Sequence, residues 1–288
     1  MSDRSQRFKA GMRSSPRAAT IVPAVLFAWL GLGAAWAEEP VDPHADFTAR
    51  EISQALYKAQ PGQRLDFSGR DLTYLDLSGL DFKGATLKNS DLYGTDFTGS
   101  NLTGSDLSHT RLDRAVLIRA NFSGADLTDA TILRPTLFSD MTNNHADAPI
   151  FAGATLKGLR VSMYMEGTSF RGADLTQADF SPLEYKPGQG TLVTPMKNFC
   201  RSCDFSGARL EGANFFRLDL RFAKLTGADL RGANLAETDL SKVDLSGADL
   251  TGADVREADF DGANLAGVKG LDDAKGLDSA VNIDRAFR

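Results

Sequence analysis

The chain has 288 residues with 32 basic and 38 acidic side chains, a net charge of −6 at neutral pH. This acidic balance disfavours nucleic acid and anionic membrane surfaces as partners. The chain has no GxSxG motif and no glycine-rich phosphate loop, and its histidines, His44, His109 and His145, are far apart in sequence. We therefore expect no enzyme activity, no metal and no cofactor.

Residues 1–37 predict a secretory signal peptide. Five basic residues precede an uncharged stretch from Ala18, and AWA at the end of this stretch is a small-x-small cleavage site. An uncleaved anchor is the alternative, because twenty uncharged residues could just span a bilayer. Pro23 and the cleavage site favour removal, which leaves 27 basic and 37 acidic residues, a net charge of about −10. We expect an exported, periplasmic protein with no further membrane span.

Residues 38–64 are expected to form an N-terminal helical cap. Glu51 follows Thr48 by three residues, the spacing of a capping box. Pro61-Gly62 ends the helix. An apolar stripe at helical spacing lies between these signals: Ile52, Leu56 and Tyr57.

Residues 65–266 carry an apolar residue at every fifth position, as in LRGANLAETDLSKVDLSGADLTGADV from Leu230 to Val255. Five residues rotate an α-helix about 140° past a full turn, and residues five apart in a strand point to opposite faces. The chain must therefore turn once per pentad, so that each central apolar residue points to one interior. From residue 208 to residue 263, the residue two before the centre is alanine nine times out of twelve, and it also faces inward. The intervening Asp or Asn faces outward, and the frequent Gly suits a turn with positive φ.

The tandem A(D/N)LxG segments FSGADL, LTGADLRGANL and LSGADLTGADV resemble the pentapeptide-repeat family. The resemblance implies an all-β solenoid, a right-handed four-sided β-helix with about four pentads per coil. About seven to eight coils would then form a rod about 35–40 Å long. The resemblance also implies an alternative function, because some family members mimic DNA and bind DNA gyrase in the cytoplasm as C-terminally joined dimers.

Two interruptions divide the repeat. Central residues run from Phe67 to Leu137, break at about 139–149, resume at Phe151 and Leu156, lapse, and return from Phe170 to Phe180. A second break covers about 181–199, and thirteen further centres follow it.

The interruptions are the predicted interaction loops, since binding residues concentrate on loops held by rigid scaffolds. A tolerated insertion is the alternative. The candidate interaction residues in these loops are Met141, Asn143, His145, Tyr185, Lys186 and Met196, of which the Met, His and Tyr residues are of types that the repeat avoids.

Cys200 and Cys203 take the central and the small inward positions of one pentad. Three readings remain open: buried core residues, a disulfide, or a redox-active pair. CRSC lacks the histidine that follows a c-type haem motif, since Asp204 stands there. An oxidising compartment would allow the disulfide, which would pin the second long loop where the repeat restarts.

Asp219, Asp239 and Asp259 are spaced by twenty residues, so they would stack on one face about 5 Å apart. Such an acidic column could bind a cation or a basic partner. Alternatively, Asp suits the turn and is solvated. By the same phase, Asp229, Asp239 and Asp249 are expected to be exposed.

Residues 267–288 form a C-terminal cap or tail. One helical face could contain Leu277, Ala280, Val281 and Phe287, and it could cover the last coil or pair with a second copy. The sequence thus favours a non-enzymatic exported scaffold with an unknown protein or glycan partner. A gyrase-binding DNA mimic is the alternative if the N-terminus is no signal peptide. A β-solenoid hydrolase would need clustered carboxylates, for which the acidic column is the only hint.

Overall fold

The computed structural model describes residues 45–139, 144–162, 164–183 and 197–288. The predicted signal peptide lies outside the described residues. Within the described ranges, no helix is both long enough and apolar enough to cross a membrane.

Regular secondary structure is sparse, because each side of a coil is too short for an ordinary strand. The described elements are the helix α1 (Ala49–Lys58), the parallel strands β1 (Thr131–Leu133) and β2 (Arg160–Ser162), and three 3-10 helices, His145–Asp147, Leu277–Ser279 and Ile283–Arg285. Isolated parallel bridges supply the rest of the backbone pairing.

Most bridges join residues twenty apart, so four pentads complete one coil. Asp219 pairs with Asp239, and Asp239 with Asp259. The bridging residue is position 1 of each pentad, the central apolar residue is position 2, and the small inward residue is position 5. The predicted interior is confirmed: the central leucines Leu230, Leu235, Leu240 and Leu245 are all fully buried. The fold is the right-handed four-sided β-helix that the family resemblance implied.

Each corner is a tight turn that explains the repeat consensus. Ser246 N donates to Asp244 Oδ1 at 3.0 Å, so the Asp at position 1 caps the turn that follows. Gly247 has a φ of 68°, and Ala248 N donates to Leu245 O at 2.9 Å. A left-handed residue at the second central place is the type II pattern, which favours glycine.

The four sides stack into four faces, each a column of position-1 residues. Face 1 runs from Asp66 to Lys269, face 2 from Asp71 to Lys275, face 3 from Asp76 to Val281 and face 4 from Asp81 to Phe287. On face 1 of the described chain, ten residues follow one another: Asp66, Thr86, Asp106, Asp126, Thr155, Asp174, Arg209, Asp229, Asp249 and Lys269. The described residues thus form ten coils, more than the seven to eight expected.

The number of coils was underestimated partly because the repeat pattern lapses between Leu156 and Phe170. Arg160 and Tyr164 are successive position-1 residues, so this side has four residues instead of five. The central residues that follow them, Val161 and Met165, are buried. The coil therefore continues while the period of five fails.

The N-terminal helix α1 forms as expected. Thr48 and Glu51 make the reciprocal capping box, and Ile52 and Leu56 are buried. The inclusion of Tyr57 in the apolar stripe was wrong, because its side chain is 88% exposed. Lys83 Nζ donates to Leu56 O at 2.8 Å and so binds the C-terminal end of α1 to the first coil of the stack.

The predicted helical face of the C-terminal tail was also wrong. Residues 269–288 form the tenth coil, whose sides have six residues, with bridging positions at Lys269, Lys275, Val281 and Phe287. The extra residue of each side is left-handed: Gly270, Gly276 or Asn282. It shifts the inward apolar residue by one place, to Leu271, Leu277 or Ile283. Val281 and Phe287 lie at outward positions and are exposed.

Candidate interaction face

Both interruptions of the repeat border face 3. The first lies between Thr136 on face 3 and Ile150 on face 4, and the second between Asp179 on face 2 and Phe199 on face 3. The inserted residues therefore leave and rejoin the stack at the two corners of one face, in its fourth to sixth coils.

The first interruption is fixed to the stack by Asp147, at the end of its 3-10 helix. Asp147 is buried, and its Oδ2 accepts hydrogen bonds from Ser139 N at 3.1 Å and from the Ser139 hydroxyl. These hydrogen bonds hold the pKa of Asp147 below its usual range. The His145 ring packs over Gly167, where a Cβ would lie 2.8 Å from His145 Cγ. Met141 and Asn143 lie outside the described residues.

The second interruption is closed at its base by two polar side chains. Asn198 is buried, and its Nδ2 donates to Phe180 O at 2.7 Å and to Ser181 O at 2.9 Å. Arg160 Nη1 donates to Ser181 O at 2.8 Å and to two further carbonyls. Tyr185, Lys186 and Met196 lie outside the described residues.

Cys200 and Cys203 form a disulfide across the turn where the repeat restarts. Their Cα atoms are 5.4 Å apart, within the usual range, and both residues are fully buried. The bond occupies the central and small inward slots that other pentads fill with leucine and alanine. Burial does not suit a redox-active pair, which must be accessible to its reaction partner.

An aromatic and arginine ladder follows on face 3. Tyr164 stacks on Phe199 with ring centroids 4.8 Å apart, and the Arg201 guanidinium lies 4.7 Å from the Phe199 centroid. Arg201 Nη2 pairs in turn with Asp219 Oδ2 at 2.6 Å. Tyr164 is 41% exposed, so the ladder presents an aromatic edge to solvent.

Arginines of the chain neutralise two of the three carboxylates in the acidic column, those of Asp219 and Asp239. Asp219 is only 5% exposed and accepts hydrogen bonds from Arg201 and Arg221. Burial alone raises the pKa of Asp219, but these hydrogen bonds outweigh it and leave the pKa below its usual range. Arg221 Nε also lies 3.3 Å from Asp239 Oδ2, and Asn282 Nδ2 donates to Asp259 Oδ1 at 2.8 Å.

The expected exposure of Asp229, Asp239 and Asp249 was wrong, because all three residues are only partly exposed. One carboxylate oxygen of each accepts the backbone N–H two residues further on, which holds the side chain against the coil. Each of the three carboxylates therefore caps the turn that follows it.

No group of His, Cys, Asp and Glu side chains within the described ranges is placed to hold a metal ion. His109 Nδ1 lies 3.7 Å from Asp129 Oδ2, and His145 Nε2 lies 4.0 Å from Glu166 Oε1. His44 lies outside the described residues.

Eight copies of the family model for pentapeptide repeats match the chain, over residues 63–99, 96–132, 200–232 and 228–267. The chain belongs to the pentapeptide-repeat family. The unmatched segment between residues 132 and 200 holds both interruptions, the four-residue side and the start of the aromatic ladder.

Solved structures of other pentapeptide-repeat proteins resemble the chain. HetL, involved in heterocyst differentiation regulation in the cyanobacterium Nostoc sp. strain PCC 7120, is 24% identical with a TM-score of 0.34, over 82% of this chain and 98% of that chain. QnrB1, a plasmid-mediated fluoroquinolone resistance protein, is 16% identical with a TM-score of 0.33, over 72% and 84%. A protein of the Arabidopsis thaliana thylakoid lumen is 26% identical with a TM-score of 0.24, over 46% and 80%. No curated protein sequence matches.

Tyr164, Phe199 and the two arginines that pair with Asp219 were not predicted from the sequence. A signal was present: position 1 of a pentapeptide repeat is mostly Asp or Asn, so an aromatic residue there is anomalous. It stayed hidden because the phase of residues 157–169 and 181–199 could not be assigned without knowing how long each side is.

Proposed function

We propose that this pentapeptide-repeat protein is a non-enzymatic, exported scaffold that holds a protein partner on face 3. One observation carries the proposal: both interruptions of the stack border the face on which Tyr164 and Phe199 replace the usual Asp or Asn. Rigid scaffolds present binding residues on such insertions. Aromatic residues and arginine are also the types enriched in protein interfaces.

Export rests on two independent features. Residues 1–37 have the charge pattern and cleavage site of a signal peptide. The disulfide between Cys200 and Cys203 suits an oxidising compartment. The DNA-mimic alternative gains no support from face 3, where Arg201 and Arg221 pair with Asp219 and Asp239.

The interaction face is tested by replacing Tyr164 and Phe199 together with Asp, the residue that position 1 usually carries. This variant keeps the turn chemistry and is expected to fold. Ile150→Asp is the matched control, because Ile150 is an apolar position-1 residue of face 4 with similar exposure, 43%. Tagged mature wild-type protein should capture a partner from the envelope fraction, the double variant should lose it, and the control should retain it.

Equal capture by the folded double variant would show that face 3 is not the interaction surface. Mass spectrometry of the native protein tests export separately, with an N-terminus expected at Glu38. An intact Met1 on cytoplasmic protein would contradict export and favour the gyrase-binding alternative.

A further inference from the structure

The left-handed residue at position 4 differs in type among the four corners. On the corner between faces 4 and 1, glycine occupies this position throughout the first nine described coils: Gly84, Gly104, Gly124, Gly153, Gly172, Gly207, Gly227, Gly247 and Gly267. Glycine reaches a positive φ without steric cost. Glycine is therefore the residue that this turn favours where no side chain is needed.

The corner between faces 2 and 3 instead carries long side chains with positive φ: Tyr74, Arg114, Arg134, Arg217, Glu237 and Glu257. All of them are exposed. Left-handed backbone is costly for a residue with a Cβ, and these long side chains lack the short amide or carboxylate that eases it for Asn and Asp. Strained backbone of this kind persists mainly at functional positions.

Arg114 and Arg134 stand out on this corner. Arg114 N donates to Leu133 O at 2.8 Å, and Leu133 is the last residue of β1. Arg134 follows Leu133 directly, so the two arginines occupy successive coils of the same corner. Arg134 also precedes Pro135, and a residue before proline favours extended backbone. Two features therefore raise the conformational free energy of the Arg134 backbone: its left-handed φ and the proline that follows it.

Neither guanidinium forms an ion pair with another described residue. The ion pairs among the described residues use other arginines, such as Arg111 and Arg217. The nearest carboxylate in sequence, Asp113, accepts the backbone N–H of Leu133 at 3.0 Å. The two side chains leave the backbone one coil apart, about 5 Å along the stack, so their like charges repel each other in addition to the backbone strain. An external anion would relieve that repulsion.

We propose that Arg114 and Arg134 bind a carboxylate-bearing segment of the protein partner, at the edge of face 3. This inference rests on the proposed function and names the chemistry of its partner. The planar guanidinium fork matches a carboxylate with two parallel hydrogen bonds. The site consists of two arginines on a chain whose net charge is −6. So small a cationic site fits a short acidic segment better than a nucleic acid or an anionic membrane.

The test uses a fluorescein-labelled peptide of alternating glutamate and glycine, titrated with mature protein at low ionic strength and followed by anisotropy. Replacing both Arg114 and Arg134 with Gly should weaken binding about tenfold or more, because both charge-assisted contacts are lost. The unfolding temperature of this variant should stay the same or rise, since glycine relieves the left-handed strain. Lys242→Gly is the matched control, because Lys242 is a cation with a φ of 58° on the corner between faces 3 and 4.

Undiminished peptide binding by the folded double variant would overturn the inference, as would an equal loss in Lys242→Gly or no binding of the peptide by wild type. A DNA duplex and phosphatidylserine vesicles are titrated in parallel. Binding of either as tightly as the peptide through the same arginines would also overturn it. Envelope capture that survives in the double variant but depends on Tyr164 and Phe199 would leave the proposed function standing while this inference fails.

Discussion

The ring of Tyr74 covers Gly94, the equivalent residue one coil further along the corner between faces 2 and 3. A Cβ built on Gly94 would lie 2.6 Å from Tyr74 Cδ1, closer than real Cβ contacts come. This contact explains why Gly94 interrupts a corner that carries long side chains in the first, third, fourth and seventh to ninth coils. The left-handed backbone of Tyr74 and the glycine at position 94 therefore belong to one structural feature, in which the Tyr74 ring lies over the next coil.

Gly94→Ala should therefore destabilise the protein by about 1–3 kcal/mol, from left-handed strain and from the clash together. Gly227→Ala isolates the strain, because Gly227 has a φ of 63° and no atom near the added Cβ. Urea unfolding of both variants, and of Gly94→Ala combined with Tyr74→Ala, separates the two effects. Equal losses at Gly94 and Gly227 would mean that the Tyr74 ring moves away at no cost.

Leu240→Ala should cost about 2–5 kcal/mol of unfolding free energy, because it empties a fully buried central position. Asp239→Asn should stay within about 1 kcal/mol, since the amide oxygen can still accept from Ser241 and only a partly exposed ion pair with Arg221 is lost. Leu277→Ala in the tenth coil should cost less than Leu240→Ala, because Leu277 is only partly buried. Chemical denaturation that ranks Asp239→Asn with Leu240→Ala would contradict the assigned phase.

Asp219 should make stability depend on acid pH. Its pKa is lowered in the folded protein, so its contribution is present above the unfolded value of about 4 and is lost as the pH falls through the folded pKa. Asp219→Asn should destabilise the protein at neutral pH by about 1–3 kcal/mol, because Arg201 and Arg221 lose their shared carboxylate. Thermal unfolding from pH 7 into the acid range should show a shallower decline for this variant than for wild type. Parallel declines would assign the acid sensitivity to other carboxylates.

Reduction of the Cys200–Cys203 disulfide should cost about 2 kcal/mol, as expected for a bond that closes a very short loop. Replacing Cys200 with Leu and Cys203 with Ala restores the residues usual at these two slots. This double variant should recover much of the stability and should no longer respond to reductant. Thiol labelling of the unfolded, non-reduced wild type should find no free cysteine, and two free thiols would contradict the disulfide.

The sequence by itself determined the repeating unit of this protein. A period of five fits neither helix nor strand, so the inward leucines, the turn at each pentad and the outward Asp followed from local geometry. The capping box of Thr48 and Glu51 was equally readable, because its partners are three residues apart. Tyr57 was misassigned because only packing against the first coil decides which flank of α1 is covered.

The stacking of coils decided the rest. The bridge between Asn121 and Ile150 spans the first interruption, and the bridge between Ser169 and Asp204 spans the second. Which residues share a face past these points depends on inserted lengths that no local pattern encodes. The six-residue sides of the last coil were hidden for the same reason, since the extra left-handed residue moves the inward position. The pairing of Asp219 with Arg201 and Arg221, and the location of both interruptions at face 3, therefore emerged only when distant segments were placed in adjacent coils.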